Sequence, residues 1–356
     1  MGSLLTGCAT SNEGGETADA PAPQPTTAGV GEVMTVLGPV PVDSLGITMG
    51  HEHIIIGETG WSVDATWQYD RESTFKELVE IFNHLKEAHG VQSIMDATFS
   101  ESDYDFELYK MLQEETGVNI ILSAGWNCKG LQGSYWDDAL AYGTSPDIVL
   151  GRLYETYMKE LTIGKGKSDV KAGIIKISAS YGEMPQFEQL ALQAAAMAAK
   201  EVGCGIISHT SGSTLGPDQA RALIEYGVDP KKIAIGHMGD TGDMAYVKEV
   251  LDLGVHINLD RFGLGALIYN DEERCKNVVT LLDMGYEDRL LFGTDSCMVH
   301  MGWRPNSEEQ LKTVLKDWNQ RDLFETWVPR MKELGVTDEN LKAIFVDNPR
   351  RVLARP

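Results

Sequence analysis

Histidine, lysine and aspartate side chains end several apolar runs of this sequence, where they could bind metal ions. His51 and His53 are two residues apart, so on a β-strand both side chains would point to the same face. Four more residues of suitable type end apolar runs of their own: Lys176, His209, His237 and Asp295. Imidazole nitrogens and carboxylate oxygens suit Zn, Mn, Co, Fe or Ni better than Ca or Cu(I). The set therefore predicts a site for divalent transition metals.

Lys176 strengthens this interpretation. It ends the run Gly173-Ile174-Ile175-Lys176, where burial of a lone ammonium group would be costly. Polar residues often end strands, but chance does not readily place ligand types at five separate strand ends. The remaining candidate histidines are expected to be structural: His84 and His89 lie in a helical pattern, and His256 and His300 have no partner nearby in the sequence.

Short β-branched runs alternate with longer amphipathic segments from residue 32 onward. The runs predict eight strands: Ile47 to His53, Val91 to Thr98, Val118 to Gly125, Ala172 to Ser178, Cys204 to Thr210, Lys232 to His237, Val255 to Asp260 and Arg289 to Asp295. The intervening patterns predict seven helices: Ser73 to His89, Asp105 to Thr116, Pro146 to Leu161, Gln186 to Val202, Gly216 to Tyr226, Asp243 to Leu253 and Asp271 to Met284.

Alternating strands and helices favour an α/β fold with parallel strands, and eight units match a closed (β/α)8 TIM barrel. An open doubly wound sheet would be expected to carry a phosphate-binding glycine loop, and the sequence has none. Val33 to Val42, with Gly38-Pro39 at its centre, predicts a short N-terminal β-hairpin at the bottom of the barrel. Ser307 to Arg351 predicts C-terminal helices outside it. We expect one catalytic domain over residues 32–356.

Residues 1–31 have a different composition, rich in Ala, Pro, Thr, Gly and Glu, and are expected to be disordered. Within them Leu5-Thr6-Gly7-Cys8 resembles the lipobox of bacterial lipoproteins, in which the cysteine is acylated. The sequence lacks the basic and apolar regions of a complete signal peptide. If the signal peptide was trimmed, we expect an extracytoplasmic lipoprotein anchored to the membrane through Cys8; otherwise we expect a cytoplasmic protein.

The charge balance excludes one class of partner. The 356 residues include 30 Lys and Arg against 53 Asp and Glu, a net charge of −23, without a long basic run. Such a surface would repel polyphosphate backbones. Nucleic-acid binding is therefore not expected.

The order His-x-His, Lys, His, His, Asp resembles the amidohydrolase superfamily, and the words around these residues resemble its phosphotriesterase-like branch. The resemblance covers residues 32–354. The resemblance is carried by five short sequence motifs: GPVP at 38–41, MGHEH at 49–53, IKI at 175–177, GHMGDT at 236–241 and LDRFG at 259–263.

This resemblance implies two divalent metal ions. His51, His53 and Asp295 would hold the buried ion, and His209 and His237 the more exposed one. Zinc is the expected metal, with Co, Mn, Fe and Ni as alternatives. Two metals about 3.5 to 4 Å apart can share a water and lower its pKa towards neutrality.

The resemblance also assigns roles to three further groups. Lys176, carboxylated by CO2, would bridge both metals as a carbamate. Asp295 would accept the proton of the bridging hydroxide as it attacks. Asp240 matches a carboxylate that relays protons or orients a histidine, with a simple loop cap as the alternative.

The residues expected to bind the substrate resemble the family less closely than the metal ligands do. Asp260-Arg261 resembles a motif of the lactonase-type members, which makes Arg261 a candidate for substrate binding; a surface salt bridge is the alternative. After the third strand the family usually has Gly, an aliphatic residue and then Tyr or Trp, whereas here the run is Ala124-Gly125-Trp126-Asn127-Cys128. Trp126 and Asn127 are candidates for the pocket wall: either Trp126 or a neighbour supplies the aromatic side chain, or the pocket is more polar.

The resemblance implies a hydrolase that opens lactones or related carboxylic esters, and phosphotriesters as a side activity. Within the enzyme class, the alternatives are a phosphotriesterase (aryldialkylphosphatase) proper and an amidase for small acylated amines. The non-enzyme alternative is a tethered binding lipoprotein with a vestigial barrel. We expect small-molecule substrates and a homodimer.

Overall fold

The computed structural model describes residues 31–102, 104–128, 135–302 and 315–356. The described part holds a two-stranded hairpin and a sheet of nine strands, all paired in parallel. The strands are β1 (Glu32–Thr35), β2 (Gly38–Pro41), β3 (Ile47–Gly57), β4 (Val91–Asp96), β5 (Asn119–Gly125), β6 (Ile174–Ala179), β7 (Ile206–Thr210), β8 (Ile233–Ile235), β9 (His256–Leu259), β10 (Leu290–Phe292) and β11 (Cys297–Met301). The predicted parallel α/β fold and the hairpin are confirmed.

Helices follow most of these strands and cover the outside of the sheet. They are α1 (Arg71–His89), α2 (Phe106–Thr116), α3 (Tyr135–Ala141), α4 (Pro146–Thr162), α5 (Gln186–Val202), α6 (Gly216–Glu225), α7 (Met244–Asp252) and α8 (Asp271–Asp283). Local chemistry sets their ends: the Asp70 carboxylate accepts the backbone N–H groups of Glu72 and Ser73 at the start of α1, and Gly90 ends it in the left-handed conformation.

The sheet closes between its first and last strands. The Asp295 N–H donates to the His51 carbonyl (2.9 Å), and the His53 N–H donates to the Ser296 carbonyl (3.1 Å). β11 continues this contact by pairing with β3 in parallel. At Gly293 a Cβ would lie 2.6 Å from the His51 carbonyl oxygen, so only glycine allows this approach. β11 is an addition to the predicted strands, the last of which ended at Asp295.

The core has two parts. The inner part fills the barrel with aliphatic side chains from the starts of the strands, including Ile121, Ile174 and Ile207. The outer part lies between the sheet and the helices and is much larger. Val33 of the hairpin and Val352 near the C-terminus close the inner part from below. We call this end the barrel floor and the opposite end, where the strands finish, the barrel mouth.

The C-terminal region is helical, as predicted, where it is described. Two segments each contain a π-helical turn: Gln320–Asp322, Leu323–Trp327 and Val328–Glu333, then Asp338–Lys342, Ala343–Asp347 and Asn348–Leu353. Residues 307–314 of the predicted C-terminal helices and residues 1–30 of the predicted tether 1–31, Cys8 among them, lie outside the described residues. Within the described part, no helix combines the length and apolar character needed to cross a bilayer.

Candidate metal centre

The six predicted metal ligands meet at the barrel mouth. His51 and His53 lie on β3, Lys176 on β6 and His209 on β7, while His237 lies two residues after β8 and Asp295 three residues after β10. The last two have positive φ angles, 61° and 54°, which are uncommon for residues with side chains and concentrate at functional sites. The chain turns sharply at these two strand ends.

A carboxylate joins two of the histidines. Asp295 Oδ1 lies 3.1 Å from the Nε2 atoms of both His51 and His53. The Lys176 Nζ atom lies 2.7 Å from the same Nε2 atom of His51. All these side chains are buried or nearly so. Their donor atoms therefore converge on one point beneath the mouth.

The other two histidines form a second set of donors. His237 Nε2 lies 2.8 Å from His209 Nδ1, with their ring planes nearly perpendicular. This set adjoins the first, because the rings of His51 and His237 stack with their centroids 5.0 Å apart. The structure thus brings all six predicted ligands into one cluster.

The cluster fits divalent metal ions by its donor types and spacing. Metal–ligand bonds of about 2.0 to 2.1 Å in a tetrahedral arrangement place neighbouring donor atoms about 3.3 Å apart. The separations of 3.1 Å around Asp295 Oδ1 are close to this value. The donor atoms of His51, His237 and Asp295 all lie within 4.8 Å of one another. Small movements would let these side chains close around a metal.

Lys176, for which the resemblance implied a carbamate, lies in an environment that disfavours a cation. Its side chain is buried at 1% exposure, and burial lowers the pKa of its amine to about 8. A larger fraction of this amine is therefore neutral near pH 7 than for an ordinary lysine, and the neutral form is the one that can react with CO2. The free side chain is an unfavourable ammonium in this environment, whereas a carbamate would match the neighbouring histidine nitrogens.

Two residues to which the sequence analysis gave no role at the metal ligands orient the imidazole rings. Asp260 is fully buried, and its oxygens lie 2.7 Å from His51 Nδ1 and 2.9 Å from His237 Nδ1. Thr98 Oγ1 lies 2.7 Å from His53 Nδ1. These contacts occupy the Nδ1 atoms and leave the Nε2 atoms facing the cluster. Such partners commonly fix the ring orientation of metal-binding histidines.

Arg261 links the cluster to Asp240. Its Nε donates to Asp295 Oδ2 (2.8 Å) and one terminal nitrogen donates to Asp240 Oδ2 (2.8 Å). Arg274, which the sequence did not single out, donates to the other Asp240 oxygen (2.7 Å). The Arg261 side chain is only 15% exposed. Arg261 therefore forms salt bridges, as the alternative held, but they lie within the site and not at the surface; its role in substrate binding stays a prediction.

The charges of this chain set the protonation of its carboxylates. Burial raises the pKa of Asp295, but His237, Arg261 and His51 together hold it well below its ordinary value. Burial also lowers the pKa of His237 to about 4, whereas Arg261 stays positively charged and helps to keep Asp295 ionised near neutral pH. Burial raises the pKa of Asp240 to about 6 despite its two arginine partners. Asp240 can therefore gain or lose a proton near neutral pH.

The two candidate wall residues lie after β5. Trp126 packs edge-on against Tyr135, with ring centroids 5.4 Å apart. Asn127 is buried; its backbone N–H donates to Glu101 (2.6 Å) and its side-chain oxygen accepts the N–H of Cys128 (2.9 Å). The Asn127 side chain therefore stabilises the turn after β5. The roles of both residues in substrate binding stay predictions.

The sequence is similar to known proteins of one hydrolase family. The sequence model of the phosphotriesterase family matches residues 31–353. An aryldialkylphosphatase of Saccharolobus solfataricus is 29% identical over 86% of this chain and 94% of its own length. A phospho-furanose lactonase of Mycoplasmopsis synoviae is 28% identical over 90% of this chain and 91% of its own length.

The fold also matches solved structures of similar proteins. A mutant of a Deinococcus radiodurans PTE-like lactonase superposes with a TM-score of 0.84 at 33% identity, covering 90% of this chain and 99% of the other. This match supports the closed barrel inferred from the strand contacts.

Proposed function

Because the chain belongs to the phosphotriesterase family, a family of hydrolases, we propose that it uses two divalent metal ions to open lactones or related carboxylic esters. The observation that carries the proposal is the buried cluster of four histidines, Lys176 and Asp295 at the barrel mouth. The lactone preference is supported by Arg261, which follows β9 within the Asp-Arg motif and contacts Asp295.

We assign the metal ligands as the donor sets indicate. His51, His53 and Asp295 would hold one ion and His209 and His237 the other, with Lys176 as a carbamate between them. Zinc is the first candidate, and Co, Mn, Fe or Ni would also suit these ligands. Bound divalent ions supply a water of lowered pKa and positive charge opposite the substrate's carbonyl oxygen.

Asp295 is the residue placed to accept the proton of the attacking water. Its Oδ1 faces the histidines, whereas Oδ2 accepts a hydrogen bond from Arg261 and keeps a second lone pair for the proton. The low pKa of Asp295 ensures that the carboxylate is ionised before the reaction begins. Proton transfer at this position would contribute about 10² to 10⁴ in rate.

Asp240 would carry the proton onward. It shares Arg261 with Asp295, and its pKa of about 6 suits a group that exchanges protons with solvent near neutral pH. Arg274 holds the other oxygen of Asp240 and so fixes its orientation. The arginine pair thus makes Asp240 a positioned relay.

Phosphotriester hydrolysis is the second candidate. The relative named an aryldialkylphosphatase favours it, and the chemistry is closely related because both reactions place negative charge on an oxygen that faces a metal. We propose it as a side activity, or as the main activity if the assay below favours it.

A pH-stat assay of the metal-reconstituted protein tests these proposals. The panel contains γ- and δ-lactones, long-chain acyl-homoserine lactones, aryl phosphotriesters and N-acyl amines, and acid release is followed where the products liberate a proton; amine release is followed for the amides. We expect lactones to lead by two decades or more in kcat/KM, about 2.7 kcal/mol of transition-state preference. A lead for phosphotriesters or amides would replace the lactone assignment. Absence of turnover on all four classes with metals bound would overturn the proposal.

We further propose that the protein works as a homodimer and that residues 1–31 tether it, through an acylated Cys8, outside the cytoplasm. The lipobox-like sequence at 5–8 and the polar stretch that follows it support the tether; they do not bear on the homodimer. Mass spectrometry of the protein from its native host would detect acyl chains on Cys8, and light scattering would give the oligomeric state.

A further inference from the structure

A second group of ligand-type side chains lies on the outside of the barrel. His84 and His89 belong to the last part of α1, and Glu325 belongs to the C-terminal segment Leu323–Trp327. α1 leaves the mouth after β3 and returns to the floor where β4 begins, so its last turn lies far along the barrel from the catalytic cluster. The two groups are therefore separate.

The donor atoms of this outer group already face one another. Glu325 Oε1 lies 2.7 Å from His84 Nε2 and 3.4 Å from His89 Nε2. All three donor atoms lie within 4.8 Å of one another. Tetrahedral coordination with bonds of about 2.0 to 2.1 Å needs separations of about 3.3 Å. The distance from Glu325 Oε1 to His89 Nε2 already matches this value, and the distance to His84 Nε2 needs an increase of about 0.6 Å.

Packing holds the His89 ring in place. It stacks on Phe324, with centroids 5.1 Å apart and planes 12° apart. Its Nε2 atom is buried and makes no hydrogen bond of ordinary geometry, although it points towards Glu325. A buried nitrogen with this orientation is a group that still lacks a good partner. A metal ion between the three residues would provide one.

The charge of the group suits a cation. The hydrogen bond from His84 lowers the pKa of Glu325, so this carboxylate is ionised at neutral pH. Both His84 and Glu325 are partly exposed, at 34% and 45% of their side chains, so a metal ion and a water as fourth ligand can reach the group from solvent. The net charge of −23 also favours cations near the surface.

We propose that His84, His89 and Glu325 bind a divalent transition-metal ion, zinc in the first instance, that clamps the end of α1 to the C-terminal segment. Two imidazoles and one carboxylate are a donor set that zinc accepts readily. In this proposal both histidines are ligands rather than merely structural residues. The site does not depend on the catalytic function proposed above.

Metal counting tests the site directly. Wild type, His84→Gln and Glu325→Gln are dialysed against buffered Zn²⁺, and the zinc per chain is measured by plasma mass spectrometry. Glu77→Gln is the matched control, because Glu77 is an exposed carboxylate on the same helix. We expect both site variants to bind one zinc less than wild type and Glu77→Gln. Equal zinc in all four proteins would overturn the proposal.

A second measurement keeps the proposal testable if a variant does not fold. Crystals of the wild-type protein are soaked in Zn²⁺, and anomalous differences are collected on both sides of the zinc edge. We expect a peak about 2.0 to 2.2 Å from the three donor atoms. A peak at the barrel mouth but none beside Glu325 would overturn the proposal.

Discussion

The two oxygens of Asp295 have different neighbours: Oδ1 faces the histidines and Oδ2 accepts a hydrogen bond from Arg261. This arrangement leads to a prediction for Asp295 itself. Asp295→Asn keeps the shape and a ligand oxygen but removes the carboxylate that accepts the proton. We expect kcat to fall by about 10² to 10⁴. Steady-state kinetics at saturating substrate measure this, with metal content as the control. Activity within about threefold of wild type, with both metals bound, would reject the proton-transfer role.

Lys176 gives a second prediction at this scale. Lys176→Ala removes the side chain that we expect to become a carbamate, so the variant should bind less metal and lose activity. A short carboxylic acid such as propionate should restore part of both, because it can occupy the space with an anionic group. The same acid should not activate wild type. Full metal content in Lys176→Ala without added acid would contradict the bridging role.

Individual residues differ in how far the sequence predicts them. The six ligands could be found because they lie at or near the ends of five apolar runs, with His51 and His53 sharing one of them, and the order of residue types was recognisable. The roles of Asp260 and Thr98 could not be predicted, because each of them contacts at least one histidine that lies on another strand. Which imidazole a carboxylate will meet depends on strand order and register, and these are not local properties of the sequence.

At the scale of elements, β10 and β3 come together at Gly293, where the backbone of His51 leaves no space for a Cβ. We expect Gly293→Ala to push the strands apart, to destabilise the fold by about 1 to 3 kcal/mol and to weaken metal binding. Gly151→Ala is the matched control. Gly151 lies on the exposed side of α4 with open space around it, and this substitution should stabilise the helix by about 0.5 to 1 kcal/mol. Urea unfolding of both variants measures the effects, and similar changes for the two would contradict this view of the closure.

β9 begins with a buried histidine that gives a pH-dependent prediction. Burial lowers the pKa of His256 to about 4, whereas an unfolded chain has a value near 6.5. As the pH falls below about 6.5 the unfolded state takes up a proton first, so stability is lost progressively down to about pH 4. Between pH 7 and pH 5 this residue should remove about 2 kcal/mol from the free energy of unfolding.

The comparison of wild type with His256→Leu isolates this contribution, because other titrating groups are common to both proteins. Urea unfolding at pH 7 and pH 5 should show a smaller loss of stability for the variant. Parallel pH dependence in the two proteins would show that His256 does not resist protonation in the folded state.

Most elements could be predicted because their periodicity is local. Gln186–Val202 was predicted to the residue, and other helices within two residues at each end. α3 was missed because it has only seven residues, none of them fully buried, so its pattern is too short to reveal a helix. β11 was missed because its residues become a strand only through pairing with β3, far away in the sequence.

At the scale of the whole molecule, the net charge of −23 should affect which lactones reach the mouth. Two bound divalent ions would offset only a small part of it. We expect kcat/KM for a phosphorylated lactone to rise as KCl increases from about 10 to 150 mM, because the screening length falls from about 30 to 8 Å. A neutral lactone of the same ring should show little change. A falling rate for the anionic substrate would show that the mouth is locally positive.

The position of both chain ends at the barrel floor affects how this protein can be attached to a surface or fused to another chain. The Gly31 N–H donates to the Arg355 carbonyl, and the Arg355 N–H donates to the Glu32 carbonyl, so the chain enters and leaves the barrel at neighbouring points of the floor. The mouth lies at the other end. A sensor surface or resin coupled through residues 1–30 would therefore present the reactive opening to the surrounding liquid, whereas an extension fused directly after Pro356 would start beside the packed contacts of Arg355.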